Sequence, residues 1–178
     1  YTTLFRSAKL YYPDDTIQHA GVIVGLGGYA GHSHKYAKRG GSGYMFRAAT
    51  VQDLSAVTAA CLLVKAAVYD EAGGLDGGFA VAFNDVDFCL RVRALGYRVL
   101  FTPYAELYHY ESKSRGLDTK GPARERFEGE RRRMKQRYGE RLLRDPFYNP
   151  NLTLDREDFS ESDALPKDDP VPGVPARG

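Results

Sequence analysis

Acidic residues, a histidine and a basic loop follow one another in the middle of the chain, and residues of these types can together bind a metal ion and an anion. Asp85 and Asp87 open a helical pattern, His109 lies in a later extended segment, and the polar loop 111–116 follows it directly. Negative charge suits the positive end of a helix dipole, imidazole binds divalent metal ions, and hydroxyl groups with cations bind anions. The order of these groups predicts a site for a phosphate group and a metal ion.

A helix start must position the two carboxylates. A glycine-rich turn at 73–78 and a short apolar run precede Asn84 and Asp85. Either side chain can cap the free backbone N–H groups of the first turn. The pattern predicts a helix that runs to about Leu95, where Gly96 provides the left-handed stop. The start of this helix is therefore well placed to present carboxylates to a cleft.

Extended segments flank this helix. The continuous apolar run 57–64 predicts a buried central strand. Residues 97–102 predict a strand that Pro103 ends, and residues 105–110 predict a second short extended piece. The structural alternative for His109 is therefore a histidine that is hydrogen-bonded at the end of a sheet.

The first part of the chain predicts a β-hairpin. Residues 9–12 and 17–24 are strand-like, and residues 13–16 form a turn of the kind that Pro and Asp pre-organise. Together they indicate the edge of an antiparallel or mixed sheet.

A glycine-rich segment, 25–32, comes next. It lacks the Gly-Lys-Ser/Thr ending of a phosphate-binding P-loop, so it predicts a flexible loop on the substrate side. His32 and His34 could ligate a metal ion, but no Cys or carboxylate accompanies them at ligand spacing, which favours solvated histidines in a loop. The basic and aromatic residues of 35–47 predict a loop on the acceptor side.

Several short motifs, in their order and spacing, resemble those of family-2 glycosyltransferases, the inverting type with a GT-A fold. The matching motifs are Thr58-Ala59-Ala60-Cys61, Gly73-Gly74-Leu75-Asp76, Asn84-Asp85-Val86-Asp87-Phe88-Cys89-Leu90-Arg91, Gly96-Tyr97, Thr102-Pro103 and His109-Tyr110-Glu111-Ser112-Lys113-Ser114-Arg115-Gly116. The resemblance covers roughly residues 8–158 and corresponds to the C-terminal half of the family's domain. It implies an α/β fold with a GT-A-like mixed sheet flanked by helices, truncated at the N-terminus so that the nucleotide-binding half is missing.

The resemblance implies roles for residues around the helix start. Asp85 aligns with the catalytic base, which takes the proton from an acceptor hydroxyl as that oxygen attacks the anomeric carbon. Asn84 stands where the family often has Glu. The residues implied to contact substrate here are Thr58, Ala59, Asn84 and Asp87. The alternatives are that Asp85 is an ordinary helix cap and that Asp87 is an ion-pair partner for Arg91.

The resemblance also implies a cofactor and a reaction. His109 would ligate the Mg²⁺ or Mn²⁺ that neutralises the donor diphosphate. A loop that closes over the diphosphate would carry Ser112, Ser114 and Arg115. The implied full-length enzyme is a hexosyl- or deoxyhexosyltransferase that moves a sugar from a nucleotide-sugar donor to a glycan or lipid-linked acceptor, in bacterial cell-surface polysaccharide synthesis. Without the nucleotide-binding half, this piece alone is expected to be inactive.

Composition limits the other function classes. With 178 residues, 43% hydrophobic and 27% charged, the chain is long enough for one ordinary domain, and its net charge of +2 gives no indication of nucleic acid. Its two cysteines, Cys61 and Cys89, indicate a reducing compartment rather than a disulfide scaffold. No apolar run is long enough to span a bilayer and no signal peptide is visible. These features predict a cytoplasmic protein, with the inner face of the membrane as a further option.

A strongly basic segment, 121–144, predicts an amphipathic helix. The apolar positions at helical spacing are Phe127, Met134, Tyr138 and Leu142. A cationic face of this kind can make a peripheral contact with anionic lipid, and the alternative is a solvated face. Residues 159–178 are acidic and proline-rich and predict disorder.

The resulting division of the chain has four parts. Residues 1–7 match what a common sequencing-adapter end would encode and are excluded from the fold, and the alternative is a native N-terminal strand. Residues 8–120 form the acceptor and catalytic-base part of a glycosyltransferase domain, 121–158 the basic helix and C-terminal extension, and 159–178 the tail.

Two interpretations from other functional classes stay open. A non-catalytic carbohydrate-binding or interaction module would use Tyr36, Tyr44 and Tyr108 and would not need Asp85. A nucleic-acid-binding domain would depend on 121–144, with an affinity that falls steeply with salt.

Overall fold

The computed structural model describes residues 5–110 and 121–163 as a mixed α/β protein. A five-stranded mixed sheet forms its centre, and a separate two-stranded sheet lies beside it. The strands are β1 (Phe5–Tyr11), β2 (Ile17–His19), β3 (Val22–Val24), β4 (Ala30–His32), β5 (Gln52–Asp53), β6 (Leu62–Val64) and β7 (Leu100–Tyr108). The helices are α1 (Ala66–Glu71), α2 (Asn84–Ala94) and α3 (Gly121–Tyr138).

The central strand is β1, whose residues are all buried except Arg6. On one edge β7 runs parallel to it, and on the other edge β2 and β6 pair antiparallel with its C-terminal and N-terminal halves. β5 then pairs antiparallel with β7. Phe5 to Ser7 belong to this strand; that residues 1–7 are foreign to the natural protein stays a prediction.

The prediction of a buried central strand at 57–64 is wrong. Only Val57 and Thr58 are buried there; a 3-10 turn follows at Ala59–Cys61, and β6 is a short, partly exposed edge strand. The Thr58 hydroxyl accepts a hydrogen bond from the Ala60 backbone N–H at 3.2 Å and caps this turn. A local bond of this kind competes with the strand ladder, which an apolar run by itself does not show.

The predicted hairpin at the start of the chain is confirmed by the antiparallel pairing of β1 with β2. The second predicted strand, however, is divided in two at Gly21. This residue has φ +102°, and a Cβ there would lie 2.3 Å from the Leu54 side chain. The chain can therefore turn away only at a glycine, and β3 leaves the main sheet to pair with β4.

The predicted break at Pro103 is also wrong, because β7 continues through it as one strand. Its pairing with β1 passes from Ala8 opposite Thr102 directly to Lys9 opposite Glu106, so residues 103–105 bulge out of the ladder. Proline has no N–H to donate, and a bulge places it where none is needed. The strand therefore extends far enough to carry the chain directly to His109.

The glycine-rich segment 25–32 is an ordered hairpin rather than the flexible loop that was predicted. β3 and β4 pair across a 3-10 turn at Leu26–Gly28. Gly25 has φ +96°, and a Cβ there would lie 2.4 Å from the Leu142 carbonyl oxygen. The glycine is needed for close packing against the C-terminal part of the chain.

Helices α2 and α3 pack on the sheet and complete the core. The predicted end of α2 is confirmed by Gly96, which has φ +87°. The ring of Phe88 in α2 lies 5.6 Å from that of Phe5 in β1. In α3, Met134 and Tyr138 are buried, which confirms its predicted apolar face. Both cysteines are free, and burial raises the pKa of the Cys89 thiol.

The structure describes only residues 159–163 of the predicted disordered tail, and these contact the rest of the chain while they stay partly or fully exposed. Disorder of the tail as a whole stays a prediction. Residues 152 and 161 form a β-bridge, and the ring of Phe159 stacks on Tyr44 with centroids 4.9 Å apart. Asp145 is buried and accepts hydrogen bonds from the Val24 N–H at 2.8 Å and the Ser55 hydroxyl at 2.7 Å. Residues 164–178 lie outside the described ranges.

Candidate active-site cleft

A cleft of about 490 Å³ opens beside the start of α2. The hairpin of β3 and β4, the loop before α2, the first half of α3 and the C-terminal segment all contribute to its wall. Its polar lining residues are Asp85, Glu157, His32, Lys35 and Thr58, and its aromatic ones are Phe83 and Phe127. The cleft thus combines carboxylates, hydrogen-bond donors and apolar ring faces.

Asp85 lies in the first turn of α2 and is half-buried. Its Oδ2 accepts a hydrogen bond from the Ala59 N–H at 3.2 Å, and its Oδ1 accepts one from the Val86 N–H at 2.9 Å. The residue before the helix is Phe83, and no side chain caps the helix end. Asp85 nevertheless binds the Val86 N–H, one of the free N–H groups of the first turn, so the alternative of a helix-capping role for Asp85 stays open. Within the described ranges Asp85 forms no ion pair, so backbone N–H groups hold a carboxylate in the cleft.

The loop that leads into α2 is held by a residue that sequence reasoning missed. Glu130 of α3 is only 4% exposed, and its carboxylate accepts hydrogen bonds from the Val81 N–H at 2.9 Å and the Ala82 N–H at 3.0 Å. Phe83 follows with φ +63°, an unusual value for a residue with a side chain. Glu130 had no distinguishing signal in the sequence, because it resembles the other glutamates of a basic helix.

Asp87 belongs to the interior rather than to the cleft lining. It is fully buried, and its carboxylate lies 2.9 Å from Arg91 Nε, 2.6 Å from Arg137 Nη1 and 2.7 Å from the Tyr138 hydroxyl. Burial and the hydrogen bond to Asp87 raise the pKa of Tyr138. The ion pair with Arg91 is thus observed, and a direct contact between Asp87 and substrate stays a prediction.

Thr58 and Ala59 lie next to Asp85. Thr58 lines the cleft, and Ala59 contributes the backbone N–H that holds the Asp85 carboxylate. Asn84 occupies the first position of α2, half-buried beside them. The structure therefore brings together four of the residues that the sequence predicted.

A pair of histidines connects the wall of the cleft, to which His32 belongs, with the interior. His19 is fully buried, and its Nδ1 is 2.9 Å from His32 Nδ1. Its Nε2 is 3.3 Å from the Gly21 backbone N and 3.5 Å from the Thr58 backbone N. Burial, with a smaller effect of the His32 charge, holds the pKa of His19 well below 6.5. Sequence reasoning missed His19, whose only signal was a polar residue in a buried strand.

The other histidine of the hairpin region is also packed, so the expectation of solvated side chains is wrong. His34 is buried, and its Nε2 accepts a hydrogen bond from the Tyr44 N–H at 3.0 Å. Burial, followed by the charges of Arg47 and Lys9, lowers the pKa of His34 to about 4. In 5–110 and 121–163, no three residues among His, Cys, Asp and Glu are grouped as a metal site.

His109 lies outside the cleft, at the other end of β1. Its Nδ1 is 2.8 Å from Gln18 Oε1, and Gln18 Nε2 donates to the His109 carbonyl at 3.2 Å. Its backbone N–H donates to the Tyr11 carbonyl at 3.0 Å. Tyr11 lies four residues beyond Ser7, which contacts Thr58, so the separation along the strand is roughly 13 Å.

The hydrogen bonds of His109 determine which ring nitrogen can bind a metal ion. A backbone carbonyl only accepts, so Gln18 must direct its amide N–H₂ at it and its Oε1 at His109 Nδ1. Nδ1 then carries the proton, and Nε2 keeps its lone pair. This is the usual arrangement of a metal-ligating histidine, so His109 fits the role of one protein ligand. Ser112, Ser114 and Arg115 lie outside the described residues.

The basic face of α3 is partly occupied by contacts within the protein. Arg137 pairs with Asp76 and Asp87, and Arg131 pairs with Glu128 and lies 4.3 Å above the Tyr29 ring. The cations of this segment that remain exposed are Arg124, Arg132, Arg133, Lys135, Arg141 and Arg144. In the described ranges no helix combines the length and apolar character that crossing a membrane requires.

The three tyrosines considered for a binding module have different neighbours. Tyr36 stacks on Tyr12, Tyr44 stacks on Phe159, and Tyr108 is hydrogen-bonded to Arg39 at 2.7 Å. Tyr36 and Tyr108 stay exposed, so the binding module stays a prediction.

Comparison with known proteins gives two relatives. Over 153 residues the chain is 52% identical to the uncharacterized protein y4gI of Sinorhizobium fredii (strain NBRC 101917 / NGR234), a match that covers 85% of this chain and 17% of that protein. Over 153 residues it is 36% identical to the O-antigen biosynthesis protein RfbC of Myxococcus xanthus, with 84% of this chain and 12% of that protein covered. No family model and no solved structure matches. The chain therefore spans less than a fifth of the length of either relative.

Proposed function

We propose that this chain is the C-terminal part of the catalytic domain of an inverting family-2 glycosyltransferase with a GT-A fold. The full-length enzyme transfers a hexosyl or deoxyhexosyl group from a nucleotide-sugar donor to a glycan or lipid-linked acceptor in bacterial cell-surface polysaccharide synthesis. The observation that carries the proposal is the Asp85 carboxylate, which two backbone N–H groups hold in a cleft at a helix start. The name of the Myxococcus relative supports the polysaccharide context.

Asp85 acts as the general base in this proposal. The acceptor hydroxyl loses its proton to the carboxylate, its oxygen bonds to the anomeric carbon, and the bond to the nucleoside diphosphate breaks on the opposite face. The Asp85 carboxylate suits this role because backbone N–H groups of Ala59 and Val86 fix its direction in the cleft. Thr58 and Ala59 shape the adjoining wall, and Asn84 adds an amide beside the base.

A divalent ion, Mg²⁺ or Mn²⁺, would neutralise the diphosphate of the donor as it leaves. His109 would supply one ligand through Nε2, because Gln18 holds the proton on Nδ1. The further ligands would come from the donor phosphates and from parts of the protein beyond the described ranges. Ser112, Ser114 and Arg115 are proposed to contact the diphosphate, and Asp87 to support the site through its buried ion pairs.

The enzyme is proposed to work on the cytoplasmic side, at the inner face of the membrane. The exposed cations of α3 and of the turn that follows it support a peripheral contact with anionic lipid. A lipid-linked acceptor would be presented at such a surface. No role for nucleic acid is proposed.

The test is the Asp85→Asn variant of the full-length protein, which keeps the shape of the side chain and removes its basicity. We expect transfer to fall by about 10² to 10⁴, the usual contribution of a general base, while donor binding persists. The matched control is Asp70→Asn, which removes an exposed carboxylate from α1. The readouts are radiolabelled sugar transfer with Mn²⁺ and calorimetric titration of the donor.

Two results would contradict the proposal. If Asp85→Asn transfers sugar as fast as Asp70→Asn, then Asp85 is not the base. If the wild-type protein binds sugars but releases no nucleotide from any nucleotide sugar, the carbohydrate-binding module replaces the transferase.

A further inference from the structure

We propose that Glu157 is a specificity-determining residue whose carboxylate accepts hydrogen bonds from hydroxyl groups of a neutral acceptor sugar in the cleft beside Asp85. The inference rests on the proposed function and deepens it, because it names the class of ligand that the cleft takes and gives the C-terminal segment a role. It is carried by the anchoring of that segment, by the position of the Glu157 carboxylate and by the composition of the cleft.

The C-terminal loop 154–159 has a fixed position beside the cleft. The Thr153 N–H donates to the Ser160 carbonyl at 2.9 Å and closes the loop at its base. The Gly27 N–H donates to the Leu154 carbonyl at 2.8 Å and ties the loop to the turn between β3 and β4. Backbone hydrogen bonds therefore hold the loop against the hairpin that forms one wall of the cleft.

Glu157 is the charged residue of this loop that faces the cleft. Arg156 and Asp158, on either side of it, both bind the hydroxyl of Ser160, at 3.0 Å and 2.6 Å. Among residues 5–110 and 121–163 the Glu157 carboxylate has no hydrogen-bond or ion-pair partner. Its Oε1 lies against β4, 3.3 Å from the position that a Cβ of Gly31 would take. Glu157 and Gly31 both line the cleft, so the wall of the cleft holds an unpaired acceptor.

The composition of the cleft favours a neutral sugar. Its volume of about 490 Å³ is typical of small-molecule sites. The ionisable groups of its lining are two carboxylates, an ammonium group and an imidazole, those of Asp85, Glu157, Lys35 and His32. The carboxylates would repel phosphate oxygens, whereas they accept hydrogen bonds from sugar hydroxyls. The rings of Phe83 and Phe127 supply apolar faces on which a pyranose ring can pack. A neutral sugar therefore fits this cleft better than the donor diphosphate does.

The first test needs no enzymatic activity. Saturation-transfer NMR observes the ligand, so it suits the full-length protein. The probes are methyl α-D-mannopyranoside, methyl α-L-rhamnopyranoside and methyl β-D-galactopyranoside, each also in a fully O-methylated form that has no O–H to donate. We expect at least one free glycoside to bind and its O-methylated form to bind about tenfold more weakly. Binding of none of the glycosides, or equal binding of the two forms, overturns the proposal.

Two variants determine whether this binding depends on Glu157. Glu157→Gln keeps the shape of the side chain and removes its charge, and the matched control is Glu161→Gln, the same change at an exposed glutamate of the same segment. We expect the dissociation constant of the bound glycoside to rise about tenfold in Glu157→Gln, because a hydrogen bond to a charged acceptor is lost, and to stay unchanged in Glu161→Gln. Equal constants in the two variants would show that Glu157 is an ordinary solvated carboxylate and would overturn the proposal.

Kinetics of the full-length enzyme distinguish recognition of the acceptor from a part in the chemical step. Glu157→Gln should raise the acceptor KM about tenfold and leave kcat and the donor KM unchanged, because its carboxylate contacts the acceptor and not the reacting atoms. A fall in kcat with an unchanged acceptor KM would assign Glu157 to the chemical step and would contradict the proposal.

The outcomes separate this inference from the proposed function. If Asp85-dependent transfer is found but the acceptor KM is the same in Glu157→Gln and Glu161→Gln, only the inference fails. If a glycoside binds in a Glu157-dependent way but no transfer occurs with any donor, the proposed function fails and Glu157 remains a sugar-binding residue.

Discussion

Two neighbouring residues of β2, Gln18 and His19, each hold a histidine from another part of the chain, and they hold it in opposite ways. Nε2 of buried His19 accepts from the Gly21 N–H, so its Nδ1–H donates to Nδ1 of His32. Gln18 Oε1 instead accepts from His109 Nδ1. Nδ1 is therefore an acceptor in His32 and a donor in His109.

The comparison teaches that the hydrogen-bond partner of one ring nitrogen decides which nitrogen of an imidazole carries the proton. The lone pair that this leaves on Nε2 of His109 suits a metal ion. The surroundings agree with this difference. The cleft at His32 contains carboxylates and aromatic rings, whereas His109 lies next to the 111–116 segment with its hydroxyls and cations.

The largest expected effect is the loss of Mn²⁺ affinity when the Nε2 lone pair of His109 is removed. His109→Ala in the full-length protein should weaken binding of Mn²⁺ in the presence of inorganic pyrophosphate by about a hundredfold, or about 2.7 kcal/mol, because a ligand is lost. Electron paramagnetic resonance of free Mn²⁺ measures this affinity. His32→Ala is the matched histidine variant and should leave it unchanged. Equal effects of the two substitutions would remove the distinction between the two histidines.

The free energy of unfolding should also depend on pH, because two histidines near the β3–β4 hairpin are buried. Unfolded, His34 binds a proton near its ordinary pKa of 6.5, but in the folded protein burial lowers that pKa to about 4. The unfolded state therefore binds more protons between these values, and the free energy of unfolding should fall by about 2 kcal/mol from pH 7 to pH 5. Buried His19, whose pKa is also lowered, adds a loss of the same sign.

Urea unfolding at the two pH values measures this loss, with His34→Gln as the comparison. The variant removes the titrating ring, so its stability should change less between pH 7 and pH 5, whatever its stability at pH 7. An unchanged dependence in the variant would show that folding does not lower the pKa of His34.

The loop that leads into α2 should depend on Glu130 of α3 for its stability. Glu130→Gln replaces one of the two oxygens that accept from Val81 and Ala82 and should lower the free energy of unfolding by about 1.5 kcal/mol. Glu128→Gln, on the same helix, removes only a partly exposed ion pair with Arg131 and should cost about 0.5 kcal/mol or less. Denaturant unfolding of the two variants distinguishes them, and equal losses would contradict a special role of Glu130.

The smallest effect is expected at the partner of His109. Gln18→Leu removes the oxygen that holds the Nδ1 proton and should weaken Mn²⁺ binding about tenfold, as loss of a residue behind a metal ligand usually does. Gln18→Glu keeps an oxygen acceptor for that proton and is the control. If both variants bind Mn²⁺ equally, Gln18 does not determine the tautomer of His109.

Local patterns were sufficient for the elements that neighbouring residues determine. The range of α2, the stop at Gly96 and the apolar face of α3 follow from helical spacing and from the conformational freedom of glycine. The first hairpin follows from a Pro-Asp turn between two apolar runs. In each case the decisive interactions are within a few residues along the chain.

The patterns failed where distant contacts decide the conformation. The end of the apolar run at 57–64 became the short edge strand β6 because β1 occupies the centre of the sheet. The glycines of 25–32 became a hairpin because the C-terminal part of the chain packs against Gly25. Neither partner is close in sequence, so neither contact was visible in a local window.

The sequence by itself determined that a carboxylate begins α2, that small residues at 58 and 59 accompany it and that a histidine follows the last strand. Only the tertiary structure decided that Asp85 shares a cleft with His32 and Glu157, and that Asp87 is buried among Arg91, Arg137 and Tyr138. The reason is physical: residue type and helical spacing are local, whereas burial and the choice of hydrogen-bond partner depend on groups that folding brings from far along the chain.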